Sequence, residues 1–554
     1  MKNHKPIPNA IIILLCAVSM PCQAQTITES AQKLSKEAQK GYIDEVRMEP
    51  DGNIHVIYQN KIEKKSAAVN YEDYVFDKSL KFIEKKGTSE NKEVKPDKTV
   101  KVMNAFVGGT KCNSFDVLSM KVRVVTANRV YSNWNYKKQR YEKVKDVDVE
   151  AGKIKSDEDK PYFGIASWWR EDDNKLAILG YVETKDKKNP KRYVILNVDF
   201  DGNVTEKALD VTGNYSVVYS QMISEMEAGK AVGKQDFIVL LAPQKGSPNI
   251  SEYVYLHYDM GGTLKNKVTF QTQNPATLYT NATVIDGSVY LFGQSLDGKK
   301  AFEEVFEDYA EIEGPCFIGS GGDAENPQRA KYNKAANEEM DNFHIMRISG
   351  GKVDFATMAP LKNLKAKMKT PPSDKGASPY KGKKFSIHKF EVTPDNEYLI
   401  AGQLLGRANV GSLQNPLFLT TYGDIVCLHL DSKGELKAQY AVDRMFETKK
   451  SAIFEMPQSF YFGADGKTVY WEILEAKGER DFWTGSIENV EYYPRITKID
   501  LEKTSIADFK VFGGKKYFVY QTFPGTFVPE QNCIVYFGKD DNESVLWVGK
   551  ASFD

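Results

Sequence analysis

A short turn recurs along this chain, always between two apolar runs. Its full form is apolar–Asp–x–x–Gly–x–apolar, as at Asp199 with Gly202, Asp259 with Gly262 and Asp431 with Gly434. Asp77 and Asp500 keep the aspartate but carry Leu80 and Lys503 in the glycine place, and Ser349-Gly350-Gly351 is a degenerate copy. A second, tighter turn appears at Pro50-Asp51-Gly52, Asp286-Gly287, Pro394-Asp395-Asn396 and Asp465-Gly466. Gly and Asn supply positive φ and Pro presets φ, so both turns are hairpin signals. The flanking runs are rich in Val, Ile, Tyr and Phe, which favours antiparallel strands. Residues 236–270 show the pattern in full: strands at 237–241, 253–258 and 263–270, separated by a Pro/Gly/Ser/Asn loop and a turn.

The two turn types alternate, which divides the chain into four-stranded units near 43–85, 162–210, 215–270, 278–356, 386–440 and 455–510. A partial unit follows from 516, and 101–150 reads as a weaker copy. Four-stranded repeats predict a β-propeller, in which each blade covers its neighbour's apolar faces. Seven blades fit the turns best, and six or eight also fit. The last unit lacks a fourth strand, so an N-terminal strand is expected to close the ring. Separate β-sandwiches are the rival architecture, but no Pro/Gly/Ser linker divides the chain. The fold class is therefore all-β, one propeller domain over 43–554. A short helical segment over 25–42 is expected ahead of it. There Thr26 and Glu29 form a capping box, Ile27, Ala31, Leu34 and Ala38 share a face, and Gly41 ends the helix.

With its PDG-type turns, and FGADGKTVYWEI at 462–473 above all, the chain resembles the WD40-like repeats of bacterial secreted propellers. The resemblance covers a turn and its flanking strands in each unit, and the Gly-His and Trp-Asp signatures are absent. It implies the fold and carries no activity with it.

The first residues read as a secretory signal peptide over 1–24. Lys2, His4 and Lys5 precede an apolar run from Ala10 to Val18, and Ala24 offers the small residue at the exit. That run is too short to span a bilayer, and no later segment is apolar enough, so no transmembrane segment is expected. A lipid anchor on Cys16 or Cys22 is disfavoured, because Leu15 and Pro21 precede them where a small residue is required. The expected location is periplasmic or secreted. Lys+Arg and Asp+Glu number 75 each, which argues against a general nucleic-acid binder. Four cysteines follow the leader, Cys112, Cys316, Cys427 and Cys533, with no CxxC among them. Metal and redox readings are therefore weak. The compartment permits disulfides and leaves their pairing open. Cys427 and Cys533 lie inside apolar strands and read as buried thiols.

Turn geometry assigns the tight turns to one face of the propeller and the long connections to the other. The long ones are 183–192, 242–252, 294–342, 404–423 and 475–493 within units and 357–385 between units. Long loops on a rigid scaffold are where function concentrates, so a site is expected over 278–510. Residues 302–313 are acidic, and 314–323 form a Gly-rich stretch that could cradle an anion, although a flexible insertion explains it more simply. Residues 362–384 carry eight lysines around Pro371-Pro372. Phe482, Trp483, Tyr492 and Tyr493 sit among charges and suit stacking on sugars or anchoring a protein; equally, they could cover the loop's own core. Trp168 and Trp169 point to opposite faces of a strand. The ligand-binding candidates are Asp323, Tyr380, Lys383, Arg407, Arg480, Asp481, Trp483 and Tyr492.

Catalytic patterns fail one by one. HExxH is missing. GADGKT has Tyr461 where a phosphate loop needs its first Gly, and a strand follows it. Ile318 spoils GxSxG around Ser320. Asp199 to Gly202 lacks calcium-loop spacing, and the Gly beside Asp465 breaks the sialidase-type box. His257 and His429 occupy the same place in different units, which argues against their sharing a metal. No cofactor and no metal are expected. The leading reading is a binding module for a protein, peptide or glycan. The alternatives are a glycoside hydrolase or lyase with paired carboxylates, such as Asp323 with Asp481, and a structural subunit of an envelope complex.

Overall fold

The computed structural model describes residues 26–61, 68–91, 98–106, 123–135, 140–153, 160–170, 175–186, 191–227, 230–305, 340–374, 377, 379–380, 382, 385–409, 418–446, 454–480, 487–521 and 523–553. Nearly all of it is strand. The strands group along the chain into antiparallel meanders. The first runs Tyr42–Met48, Ile54–Gln59, Ala68–Phe76 and Phe82–Asn91. Three strands follow: Lys98–Phe106, Arg123–Asn135 and Arg140–Lys153. Four-stranded meanders then cover 163–208, 215–271, 277–360 and 385–442. The next, 458–511, ends in short strands, and the last is built from 518–552.

Apolar clusters lie between consecutive meanders. One joins Ile178 and Leu196 to Met103 and Val124 of the preceding three strands. Others join Leu179 and Ile195 to Phe237 and Leu256, Leu240 and Tyr255 to Leu278 and Leu291, and Phe292 and Ile345 to Ile400 and Val426. The series continues with Leu399 and Cys427 against Trp471 and Ile473, then Tyr470 and Ile496 against Tyr536 and Trp547. A further cluster joins the two ends of the chain: Val535 and Val548 of the last meander pack on Val56 and Phe76 of the first. This is radial packing of the propeller kind. Trp168 stacks on Phe237 at 4.8 Å and Trp169 meets Phe200 at 5.5 Å, so both tryptophans are used in such contacts.

The helix expected over 25–42 is corrected by the structure. Thr26–Lys33 is a β-strand, paired in register with Val545–Ser552 from Thr26↔Ser552 to Lys33↔Val545. It supplies the missing fourth strand of the last meander. Glu29, read as half of a capping box, instead accepts the Gly513 N–H at 3.1 Å and the Trp547 indole N–H at 3.2 Å. Tertiary pairing outweighs local helical preference here. Leu34 and Ala38 do become core, behind a single 3₁₀ turn at Ala38–Lys40.

The turns work as their sequences predict. Asp199 accepts the N–H groups of Asp201 and Asn203, each at 2.9 Å, and Asp431 those of Lys433 and Glu435. Gly202 and Gly434 then take φ of 83° and 78°.

A second repeated device was missed in the sequence. In five meanders the first strand carries one extra residue in its ladder with the second: Asp44, Ile165, Val218, Thr280 and His388. Such bulges bend a strand and increase its twist. In three of the five, a glycine stands opposite: Gly180, Gly293 and Gly402. A Cβ on Gly402 would lie 2.0 Å from the Ser386 carbonyl oxygen, whereas one on Gly423 would lie 3.3 Å from the Leu404 oxygen. Gly402→Ala should therefore destabilise by about 1–3 kcal/mol or more through forced backbone movement. Gly423→Ala should cost clearly less. Urea midpoints of the two variants check this, and equal midpoints would refute it.

Candidate functional site

Two of the long connections continue the strands that flank them. Residues 404–423 and 475–493 are largely continuations of paired strands. Tyr398–Asn409 and Phe418–Leu430 stay in register from Leu405↔Tyr422 out to Asn409↔Phe418. Thr468–Arg480 and Ile487–Asp500 do the same from Glu475↔Tyr493 to Arg480↔Ile487. Two neighbouring meanders thus send hairpins beyond their sheets on the same face. The 357–385 connection holds a helix, Leu361–Ala366, and a two-residue strand, Met368–Lys369, parallel to Leu436–Val442. One turn on the opposite face is also longer than expected: Tyr215–Glu227 and Lys230–Pro243 form an extended hairpin.

Of the sequence-predicted residues, Asp323, Lys383, Asp481 and Trp483 lie outside the described residues. Arg407 and Arg480 stand on the two hairpin extensions, with backbones opposite Thr420 and Ile487. Tyr380 is corrected: only 3% exposed, it packs against Phe343 and Phe385 and accepts a hydrogen bond from the Gln294 amide. It belongs to the core between meanders. Tyr492 is half-buried against clusters on both sides of its sheet.

Between the two hairpins lies a polar cluster that the sequence did not announce. Its floor is a buried ion pair of Glu475 and Arg495. Glu475 also accepts the Met445 N–H at 3.1 Å, and Arg495 donates to the Asp443 carbonyl at 2.8 Å. Arg495 lies over the Phe509 ring at 4.4 Å. The Asp443 N–H is in turn held by Asp374 at 2.8 Å. The pair therefore clamps the start of the 443–457 connection and, through it, the 371–374 turn. Burial pushes the Glu475 carboxyl up, and the charge of Arg495 pulls against it.

At the far end of the same connection, His388 Nδ1 meets Glu455 at 2.9 Å, with side chains 4% and 52% exposed. The Tyr422 ring lies edge-on to the imidazole at 6.3 Å. Burial, then the Glu455 charge, raises both the Tyr422 and the Tyr492 phenols. Gln403 ties the same region together, accepting the Met456 N–H at 2.7 Å and donating to the Gly423 carbonyl at 3.2 Å. The sequence signal for His388 was faint: a histidine in a first strand, opposite a glycine of the second.

Other polar groups are committed to structure. His257 is held by Asp236 at 2.9 Å, with Lys265 on the same carboxylate. His429, Glu397 and Lys437 repeat the arrangement. Burial opposes ionisation of Asp236 and Glu397, yet these hydrogen bonds hold both carboxyls below their usual range. Glu472 is sealed beneath Tyr536 and Tyr461, and burial pushes its carboxyl up. His344 accepts from or donates to Ser295 at 2.7 Å in the core. Cys427 and Cys533 are buried free thiols, as expected. Cys112 and Cys316 lie outside the described residues. Among the described residues, no group of three or more His, Cys, Asp or Glu is arranged to hold a metal, and no helix is long and apolar enough to cross a membrane.

No protein-family model matches the chain, and no curated protein matches it. Solved structures give loose superpositions. A GH93 alpha-L-arabinofuranosidase of Fusarium graminearum is 13% identical, with 70% of this chain and 91% of that one covered and a TM-score of 0.23. An apocarotenoid oxygenase of Synechocystis is 9% identical, with 82% and 92% covered and a TM-score of 0.30. A DUF4221 family member from Bacteroides vulgatus is 11% identical, with 71% and 93% covered and a TM-score of 0.22. Likenesses this loose carry no argument about the site.

Two predictions follow from the charges. Removing one partner of a buried pair leaves the other uncompensated and costs about 3–5 kcal/mol. Glu475→Gln should thus lower the urea midpoint strongly, and Glu475→Gln combined with Arg495→Met should recover part of the loss; no recovery would show the pair is not the cause. Second, burial pushes the His344 and His388 imidazoles down to about 4 from 6.5. The unfolded chain takes up these protons first as pH falls, so the stability they contribute is complete above pH 6.5 and declines toward pH 4. At about 1.4 kcal/mol per unit, the loss reaches roughly 3 kcal/mol for each imidazole. His344→Gln should lose less stability between pH 7 and 4.5 than the unaltered protein. Equal losses would show that His344 contributes nothing to acid sensitivity.

Proposed function

We propose that this chain is an exported β-propeller that binds a ligand on the face bearing the two extended hairpins. The observation carrying this reading is the pair of neighbouring hairpins that leave their sheets as paired ladder, with the connection between them clamped by Glu475 and Arg495. Ordered walls around a polar, aromatic-sided cluster suit recognition of a protein, peptide or glycan. Counting each meander as a blade makes the ring eight-bladed, one more than the seven that fit the turns best. The added blade is the three-stranded 98–153 unit. Export fits the N-terminal strand: cleavage after Ala24 would leave all of Thr26–Lys33 free to pair. The alternative, hydrolysis by paired carboxylates, has weaker support, since Glu475 is bound to Arg495 and Glu472 lies beneath two phenols.

Two measurements test the reading. The exported protein, recovered from periplasm or medium, should begin at Gln25; retention of residues 1–24 would oppose export. On glycan and peptide arrays, the mature chain should retain specific probes. Replacing 479–488 with an Asn-Gly turn should abolish that retention without lowering the melting temperature by more than a few degrees. Blank arrays, or signals indifferent to the replacement, would refute the assignment of this face.

A further inference from the structure

Five first strands carry a bulged residue, and at four of those places it is Asp44, Ile165, Val218 or Thr280. The fifth is His388. Its side chain is 4% exposed, and Glu455 engages Nδ1 at 2.9 Å. A carboxylate on Nδ1 fixes the proton there and leaves Nε2 as a lone-pair acceptor. Nε2 is buried and has no hydrogen-bond partner among the described residues. Burying a polar nitrogen unpaired costs free energy, so a ligand that donates to this position would gain from it.

The next first strand, with no bulge, offers a second unpartnered atom. Gln458 stands as far before Asp465 as His388 does before Asp395. Its Oε1 accepts the Trp471 indole N–H at 3.1 Å, while its Nε2 is buried without a partner among the described residues. Two adjacent inner strands thus offer one unused acceptor and one unused donor at matching positions. Tyr422 stands edge-on to the imidazole at 6.3 Å. Tyr422 and Tyr492 both lie within reach of the Glu455 charge, which makes Glu455 the half-exposed rim of the cluster.

We propose that His388, Gln458, Glu455, Tyr422 and Tyr492 form a binding site for a neutral carbohydrate. This rests on the ligand-binding reading above and names the ligand class. A sugar hydroxyl both donates and accepts, so vicinal hydroxyls match an imidazole acceptor and a carboxamide donor together. The apolar face of a pyranose or furanose ring suits a tyrosine side chain. An anionic ligand would meet Glu455 as a like charge, and a cationic one, having only donors, could serve the imidazole but would leave the Gln458 amide donor unpaired.

The test uses the mature chain on an array of neutral oligosaccharides, with acidic glycans, polyamines and basic peptides as comparison arms. Hits are measured by calorimetry. Binding of a neutral oligosaccharide is expected, weakened at least tenfold by His388→Leu and severalfold by Gln458→Leu. Tyr492→Ala is the second variant, expected to weaken binding tenfold, should His388→Leu fail to fold. The His388 imidazole nitrogen resonances should also shift on addition of the sugar. If a neutral sugar binds but the folded His388→Leu and Tyr492→Ala variants bind it equally well, this site is wrong, and the binding face then stands or falls by the hairpin test. If only polyamines, peptides or acidic glycans bind, the ligand class is wrong. If nothing binds, both the site and the general reading fall.

Discussion

The meanders from 163 to 552 each have two apolar faces and cannot bury either alone. That constraint organises everything else. A four-stranded sheet such as 215–271 hides Phe237 and Leu256 against the unit before it, and Leu240 and Tyr255 against the unit after it. The alternation of side chains along a strand makes this two-sided demand unavoidable. Stacking along the chain satisfies it for the units from 163–208 to 458–511, and the last unit finds its second partner at the other end of the chain. The two ends meet: Val535 and Val548 cover Val56 and Phe76. The strand Thr26–Lys33 completes the last sheet from the other end of the sequence, so the joint is a backbone ladder as well as an apolar contact.

Radial packing brings a second requirement, because inner strands converge where outer strands spread. The bulged residues in the first strands and the glycines opposite three of them answer it. Gly180, Gly293 and Gly402 each stand where a Cβ would overlap a carbonyl of the first strand. The functional consequence is that one such residue, His388, is displaced out of the regular ladder while its backbone stays in a rigid sheet. A side chain so placed is oriented by the scaffold and not by a loop.

The repeat architecture was legible because it rests on local chemistry. Aspartate accepting two backbone N–H groups, followed by a residue at positive φ, is written in a few adjacent letters, and Asp199-to-Gly202 does in space what it says in sequence. What failed to be legible depends on partners distant in the chain. Thr26 to Ala38 carries a good amphipathic helical pattern, yet Glu29 finds Gly513 and Trp547 instead of its own helix end. Length alone made 404–423 and 475–493 look like loops, because the cross-strand register that orders them has no local signature. Tyr380 looked like an aromatic on a polar connection and is a core residue, fixed by Gln294, Phe343 and Phe385 from other strands. The weak 98–153 unit has poor turns, and its strands count as a meander only once their pairing is known.

The same distinction explains where the polar cluster arose. Glu475 and Arg495 are close because adjacent strands of one hairpin pass each other, and their burial is endured because together they hold Asp443 and Met445. Isolated buried pairs seldom add stability over an apolar alternative, so retention of one here is better read as a positioning device. It fixes Asp443 and Met445 at the start of the connection, while Gln403 holds the Met456 N–H beside Glu455, the carboxylate that engages His388. Apolar packing between meanders covers the sheets, the bulge frees one imidazole from the ladder, and the Glu455 carboxylate decides which nitrogen of that imidazole is left to act.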